Sequence, residues 1–240
     1  MSCSFAGPIT IVYGEGYAPF AFSENDSAVG IQKDFVEEIL VKRLKLNVKH
    51  EICPWRRCQS LVKDGRRDGF FTVSTPDRLK YTDKNSVPFY QTSFLLHTQK
   101  NNPFLESLKN IKNLKDLKSI ESLKHVHMLG SGWHELNLKG FKNVTTLKDT
   151  QDIPLFLSKG RADVYIEQER VFKYQLASQG LQSKLVTLSD PVIEELGWHL
   201  FIGKHSKYRD IIQRVDALLL RLRDSGELEK IKEKIFSKYD

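Results

Sequence analysis

Cysteine is scarce, with three in 240 residues, too few for the cross-linked framework that stabilises small secreted domains. Cys53 and Cys58 stand close enough for a bridge in an oxidising compartment, but spacing alone does not decide it. Long apolar runs are missing as well: the greasiest, Ala217 to Leu220, is cut off by Arg221, so no segment reads as a membrane-spanning helix. Eight prolines and 14 glycines without a repeat exclude collagen-like and low-complexity chains. There is no phosphate-binding loop, dinucleotide fingerprint, nucleophile elbow or zinc-protease motif. His125 and His127 share one strand face, yet no carboxylate or cysteine stands at matching spacing, so no metal is expected. The first residues, Met1 to Pro8, show neither a charged nor an apolar leader region. Either the chain is cytoplasmic or a leader has been removed.

What is present is an ordinary globular composition, 40% hydrophobic and 28% charged. Thirty-seven Lys and Arg against 30 Asp and Glu give +7, but the charges are dispersed. The densest basic stretch, Lys109 to Lys124, contains Asp116 and Glu121 and no aromatic residue for base stacking, which makes it a solvated face and not a nucleic-acid site. Apolar runs alternate with helical periods, the grammar of an α/β chain. Strands are expected at 8–13, 48–53, 69–73, 94–97, 126–129, 144–147, 164–167, 185–188 and 197–202. Helices are expected at 30–44, 55–63, 151–158, 169–176 and 208–222, with further ones from Trp133 and after Gly226. Two segments share wording: Lys63-Asp64-Gly65-Arg66-Arg67-Asp68-Gly69 and Ser158-Lys159-Gly160-Arg161-Ala162-Asp163-Val164 both read as helix end, Gly, Arg, Asp, buried strand. That echo favours two similarly built lobes.

The strongest chemical signal is Thr72-Val73-Ser74-Thr75-Pro76-Asp77-Arg78. A buried strand runs into a helix with Ser74 or Thr75 as N-cap and Pro76 in its first turn. Hydroxyls, free N–H groups and a guanidinium would together suit a carboxylate. Tyr17-Ala18-Pro19-Phe20 and Pro54-Trp55 follow strand ends, where open α/β sheets bind ligands, and would wall such a site with aromatic surface. Trp133 follows the Gly130 turn as a further pocket candidate, whereas Trp198 reads as packing.

These residues, in this order, resemble the cluster 3 extracytoplasmic solute-binding proteins that serve polar amino-acid ABC importers. The matching segments are Tyr17-Ala18-Pro19-Phe20, Gly30-Ile31-Gln32-Lys33-Asp34-Phe35, Trp55, Lys63-Asp64-Gly65 with Asp68, and the run ending at Arg78. Further on come Pro88-Phe89-Tyr90, Ile111 to Leu117, Leu129-Gly130-Ser131-Gly132 and Leu157 to Asp163. The resemblance implies an α/β, two-lobed periplasmic binding protein fold of type II, with two α/β lobes joined by two crossover strands. Lobe 1 would take residues 1–95 and 194–240 and lobe 2 residues 96–193, hinged near 93–98 and 190–195 and closing on a ligand. It further implies that Tyr17 and Trp55 wall the ligand, that Thr72, Ser74 and Arg78 hold its carboxylate, and that Ser131 donates a hydrogen bond from the second lobe.

One departure stands out. The family places an Asp for the ligand's ammonium where this chain has Gln168, with Glu167 just before it. Successive strand residues face opposite ways, so Glu167 replaces that Asp only if the strand end twists or bulges. Glu15 is the other acidic candidate. The resemblance thus implies a monomeric protein, not an enzyme, without cofactor, that binds an amino acid or small carboxylate in the periplasm or another extracytoplasmic space. It would hand the ligand to an ABC permease. Two alternatives carry the same fold: a ligand-sensing receptor domain, and an enzyme like cyclohexadienyl dehydratase with Glu167 as general acid.

Overall fold

A computed structural model describes residues 7–239; the leader reading of Met1 to Ala6, with Cys3, lies outside them. The chain divides into two compact units. One runs up to Gln91 and resumes at Gly197, and the other is Thr92–Leu196.

In unit 1, β1 (Ile9–Gly14) is followed by the hairpin β2 (Phe22–Glu24) and β3 (Ser27–Val29). Helix α1 (Ile31–Val36) then widens into a π-helical stretch, Glu37–Arg43, a break in the single α-helix expected over 30–44. The Leu44 N–H reaches back five residues to the Ile39 carbonyl. There follow β4 (Val48–Cys53), α2 (Trp55–Lys63), β5 (Gly69–Val73), α3 (Pro76–Leu79) and β6 (Thr82–Lys84). Strand β7 (Tyr90–Gln99) leads into unit 2, which holds α4 (Leu105–Asn110), α5 (Leu114–Ser119), β8 (Lys124–Met128), α6 (Gly132–Asn137), β9 (Asn143–Leu147), α7 (Asp152–Ser158), β10 (Val164–Gln168), α8 (Glu169–Gln179) and β11 (Leu185–Leu188). Strand β12 (Glu194–Gly203) returns to unit 1, which ends with α9 (Ile211–Asp224) and α10 (Glu227–Phe236).

The units repeat one plan. In unit 1, β1 lies between β4 and β5, all parallel, and β12 runs antiparallel to both β5 and β6. In unit 2, β8 lies between β9 and β10, all parallel, and β7 runs antiparallel to both β10 and β11. The echoed segments occupy equivalent places ahead of β5 and β10. Gly65 and Gly160 both take positive φ, 71° and 66°, where a side chain would be strained. Asp68 accepts from the Thr10 N–H at 2.8 Å and Asp163 from the Lys124 N–H at 2.8 Å, each pinning a strand to its neighbour. The shared wording is therefore a shared device.

Packing follows the pattern of each strand. β5 is buried along its whole length, with Phe70 against α2 together with Val12, Cys58, Leu61 and Phe201. The opposite face is aromatic: Phe20, Phe35, Phe71, Tyr90, Trp198 and Phe236 lie with ring centroids 4.7–6.5 Å apart, an arrangement that adds to plain burial. Trp198 is thus core packing. In unit 2, Val164 and Ile166 enter one cluster with Phe94, Leu117 and Trp133, and Tyr165 enters another with Val126, Leu157 and Phe172, the alternation a strand buried on both faces requires. No described helix is long and apolar enough to cross a membrane.

Candidate functional site

In unit 1 the site forms where β5 gives way to α3. Thr75 is the cap, its Oγ1 accepting from the Arg78 N–H at 3.4 Å, with Pro76 next in line. Arg78 is only 3% exposed. Its Nη1 donates to the Val73 carbonyl at 2.8 Å and its Nε to Gln59 Oε1 at 3.2 Å. Both acceptors are neutral oxygens, so neither neutralises the guanidinium. Trp55 covers it, with Cζ 5.1 Å from the ring centroid, a contact worth about 0.5–2 kcal/mol. Trp55 and Gln59, one helical turn apart on α2, both reach Arg78 because residues i and i+4 share a face. Gly14 makes room for the indole: a Cβ there would stand 3.1 Å from the Trp55 ring.

Cys53 and Cys58 are joined by a disulfide, with Cα atoms 5.7 Å apart, closing a loop that contains Trp55. Thr72 is buried on the Phe70 side of β5, and Ser74 is half-buried. Tyr17 stands against Phe20 and Trp198, at 5.9 and 6.0 Å. Glu15 is exposed and accepts from the Ser23 hydroxyl at 3.0 Å, which ties it to the β2–β3 hairpin. Trp55, Gln59 and Arg78 are thus brought together, with Tyr17 placed on the aromatic face and Glu15 on the hairpin.

In unit 2 the nominated residues gather at the ends of β8 and β10, which are parallel neighbours. β10 keeps its register with β7 through Glu167 opposite Leu95 and Gln168 opposite Phe94. No bulge intervenes, so Glu167 stays on the Tyr165 face and Gln168 on the Ile166 face. The Glu167 carboxylate, 4% exposed, accepts from the Tyr165 hydroxyl at 2.9 Å and from the Gln168 N–H at 2.8 Å. Gln168 is buried as well. Trp133, expected to line a pocket, packs into the core 4.9 Å from Phe94 and donates Nε1–H to Glu194 at 2.6 Å.

Ser131 also departs from expectation. Its hydroxyl lies 2.6 Å from His134 Nδ1, while His134 Nε2 lies 2.6 Å from the Ile166 carbonyl. A carbonyl only accepts, so the ring proton sits on Nε2. Burial pushes His134 down to about 3, which leaves the ring neutral and Nδ1 an acceptor. Ser131 must then donate inward to His134, and the hydrogen bond it was expected to give a ligand is already spent.

Among the described residues no group of three or more His, Cys, Asp or Glu is placed to hold a metal. His127 Nδ1 lies 3.0 Å from the Met128 carbonyl and its Nε2 2.9 Å from the Thr146 hydroxyl. Two surface grooves of unit 1, of about 500 and 270 Å³, are bordered by residues such as Arg209 with Asp83 and Arg43 with Glu227. Neither contains a nominated residue.

The profile of the bacterial extracellular solute-binding proteins, family 3, matches residues 9–238. The chain belongs to that family. A comparison with curated proteins finds no match. Solved structures share the fold of this family 3 solute-binding protein at low identity. A histidine kinase sensor domain similar to periplasmic binding proteins has a TM-score of 0.77 at 18% identity, with 95% of each chain covered. The arginine-, lysine-, histidine-binding protein ArtJ from the thermophilic bacterium Geobacillus stearothermophilus has 0.74 at 18%, covering 98% of this chain and 97% of its own. An ancestral amino acid-binding protein, a precursor of cyclohexadienyl dehydratase, has 0.72 at 20%, with 96% of each covered. These neighbours match the two-lobed periplasmic binding protein fold that the sequence resemblance implied.

Among the residues that contact nominated site residues of the solute-binding protein, Gln59 and His134 escaped the sequence reading. Gln59 carried a usable signal, its spacing of four from Trp55. His134 carried none, because nothing in the sequence says which carbonyl its ring would meet.

Proposed function

We propose that this solute-binding protein takes an α-amino acid or a related small carboxylate outside the cytoplasm and delivers it to an ABC permease, by binding alone and without chemistry. The observation that carries the reading is Arg78. A guanidinium buried under an indole, with two of its donors fixed on neutral oxygens, is oriented in advance for a carboxylate. Thr72 and Ser74 would add hydroxyls to the same carboxylate, and Tyr17 and Trp55 would wall the ligand. Ser131, Glu167 and Gln168 would contribute from unit 2. The Cys53–Cys58 disulfide accords with an oxidising, extracytoplasmic compartment.

A thermal-shift screen against the twenty amino acids, small dicarboxylates and polyamines tests this directly. A ligand at 100 times its Kd adds about 2.7 kcal/mol to the native state, so at least one carboxylate should raise Tm clearly. Arg78→Met should then weaken that ligand about 100-fold or more, since removing one partner of a desolvated charge pair costs about 2–5 kcal/mol. Undiminished affinity in Arg78→Met sinks the carboxylate assignment. The sensor-domain neighbour supports a second reading, in which the same binding event signals and does not transport. Failure of the liganded protein to stimulate a reconstituted cognate ABC permease would favour it.

A further inference from the structure

Helix α2 has a poor start. Its cap position is Pro54, which makes no side-chain hydrogen bond, and its first turn carries no acidic residue. After Trp55 come Arg56 and Arg57, both exposed, whose charge opposes the positive end of the helix dipole. A start with neither cap nor acid leaves its N–H groups to water and frays. Yet the residues that reach Arg78 hang from this turn and the next: Trp55, whose ring lies over the guanidinium, and Gln59, which accepts its Nε–H.

A covalent bond stands where the cap is missing. Cys58 closes the first turn, its N–H donating to the Pro54 carbonyl at 3.0 Å, and its sulfur is joined to Cys53, the last residue of β4. Cys53 is the register partner of Gly14 at the end of β1, and the Cys58 sulfur lies 3.1 Å from the Tyr13 carbonyl oxygen. The bridge therefore pins the turn to the ends of two strands. Gly14 is also the residue whose missing side chain makes room for the indole, and Phe70 meets that ring edge-on, with centroids 5.5 Å apart. Strand ends and bridge converge on the place that Trp55 occupies.

We propose that the Cys53–Cys58 bridge is a positioning element of the Arg78 site, standing in for the missing cap of α2 and holding Trp55 and Gln59 against the guanidinium. The arrangement around Arg78 is then complete only in the oxidised protein. A dithiol reductant would break the S–S bond, give one proton to each sulfur and leave as its own disulfide. The indole and Gln59 would then loosen from Arg78, while unit 2, which contains none of these residues, stays as it is. For its effect on a ligand the proposal deepens the binding reading above and rests on it, since a site that is no longer held in its bound arrangement binds more weakly.

The Cys53→Ser/Cys58→Ser variant tests this, since a serine hydroxyl at 58 finds the Tyr13 and Cys53 carbonyls beside the place of the sulfur. In side-chain ¹⁵N–¹H spectra of the ligand-free wild type, the Arg78 Nε–H should lie apart from those of exposed arginines, shifted by the indole and held by Gln59. In the variant it should move to join them and exchange with water about tenfold faster. The Trp133 Nε1–H, bonded to Glu194, should keep its position and show that the fold is intact. An Arg78 signal already among the exposed ones in wild type, or one that stays put in the folded variant, overturns the proposal, because a bridge that only stabilised the chain would leave it there. Should the variant not fold, wild type whose bridge dithiothreitol has opened takes its place under the same criteria. Adding Pro54→Asp, which supplies a side-chain cap, should bring the signal of the bridge-free protein back towards wild type, and no recovery overturns the role as a substitute cap. Calorimetry with L-arginine, L-glutamine, L-glutamate and glutarate then reads the ligand side. Whichever binds wild type should bind the bridge-free protein about tenfold more weakly, and equal affinity overturns the effect on binding. If none of the four binds while the Arg78 signal moves as expected, the failure belongs to the binding reading and the bridge's hold on Arg78 stands.

Discussion

The two units share a strand plan but hold their interiors in different ways. Unit 1 is packed with aromatic rings, carries a disulfide and, among its described residues, buries the guanidinium of Arg78. Unit 2 has a more aliphatic core into which four of the seven histidines are buried, His97, His125, His127 and His134. Burial pushes His97 and His134 to about 3 and His125 to about 4, and lowers His127 as well. Unit 1 has fewer, with His199 at about 4 and His50 lowered. One plan can therefore be tuned to respond to different chemical insults, acid in one half and reductant in the other.

Acid should separate the halves most. Each depressed histidine is neutral when folded and takes up a proton on unfolding, so its stabilisation is complete above the ordinary imidazole value of 6.5 and is lost as pH falls from there toward 3 to 4. Summed over His97, His125 and His134 this is on the order of several kcal/mol. Hydrogen exchange followed by mass spectrometry at pH 7 and pH 4 should show β8 and β10 losing protection before β1 and β5. Equal loss in both would break the contrast. Reduction should act the other way round, since the Cys53–Cys58 bridge closes a short loop worth about 2 kcal/mol. The Cys53→Ser/Cys58→Ser double variant should raise exchange in α2 and β4 and leave β8 and β10 as they were.

A finer comparison uses one tyrosine from each unit. Tyr165 gives its hydroxyl to the Glu167 carboxylate, and Tyr165→Phe should cost about 1.5–3 kcal/mol in denaturant titration. The Tyr90 hydroxyl is buried among rings with no hydrogen-bond partner, so Tyr90→Phe should be neutral or stabilising by up to about 1 kcal/mol. A large loss in Tyr90→Phe would mean that a polar contact sits within the aromatic core.

The same division decided what could be read in advance. Helices α9 and α10 followed from the spacing of Ile211, Val215, Leu218 and Leu222 and of Leu228, Ile231 and Ile235, all buried, because apolar period is a local property. The Asp68 and Asp163 echo was legible for the same reason. Arg78 and Trp55 were legible as residue types at strand exits, but their 5.1 Å contact arises from two segments more than twenty residues apart. Trp133 misled because a large ring after a glycine turn suits a pocket and a core equally well, and only tertiary packing against Phe94 chooses. The disulfide was undecidable from spacing, which does not fix where two Cβ atoms point.

The chain's path through the two units has a consequence for the order in which they are completed. Unit 2 is one uninterrupted stretch ending at Leu196, whereas β5 of unit 1 receives its antiparallel neighbour only from Trp198 to Ile202, and α9 and α10 come later still. A chain emerging from its N-terminus therefore finishes its inner half while the outer half still exposes an unpaired strand edge. Strand edges left waiting are where chains stick to one another. The last forty or so residues thus act as a closing seam for a unit whose first strand was made some two hundred residues before.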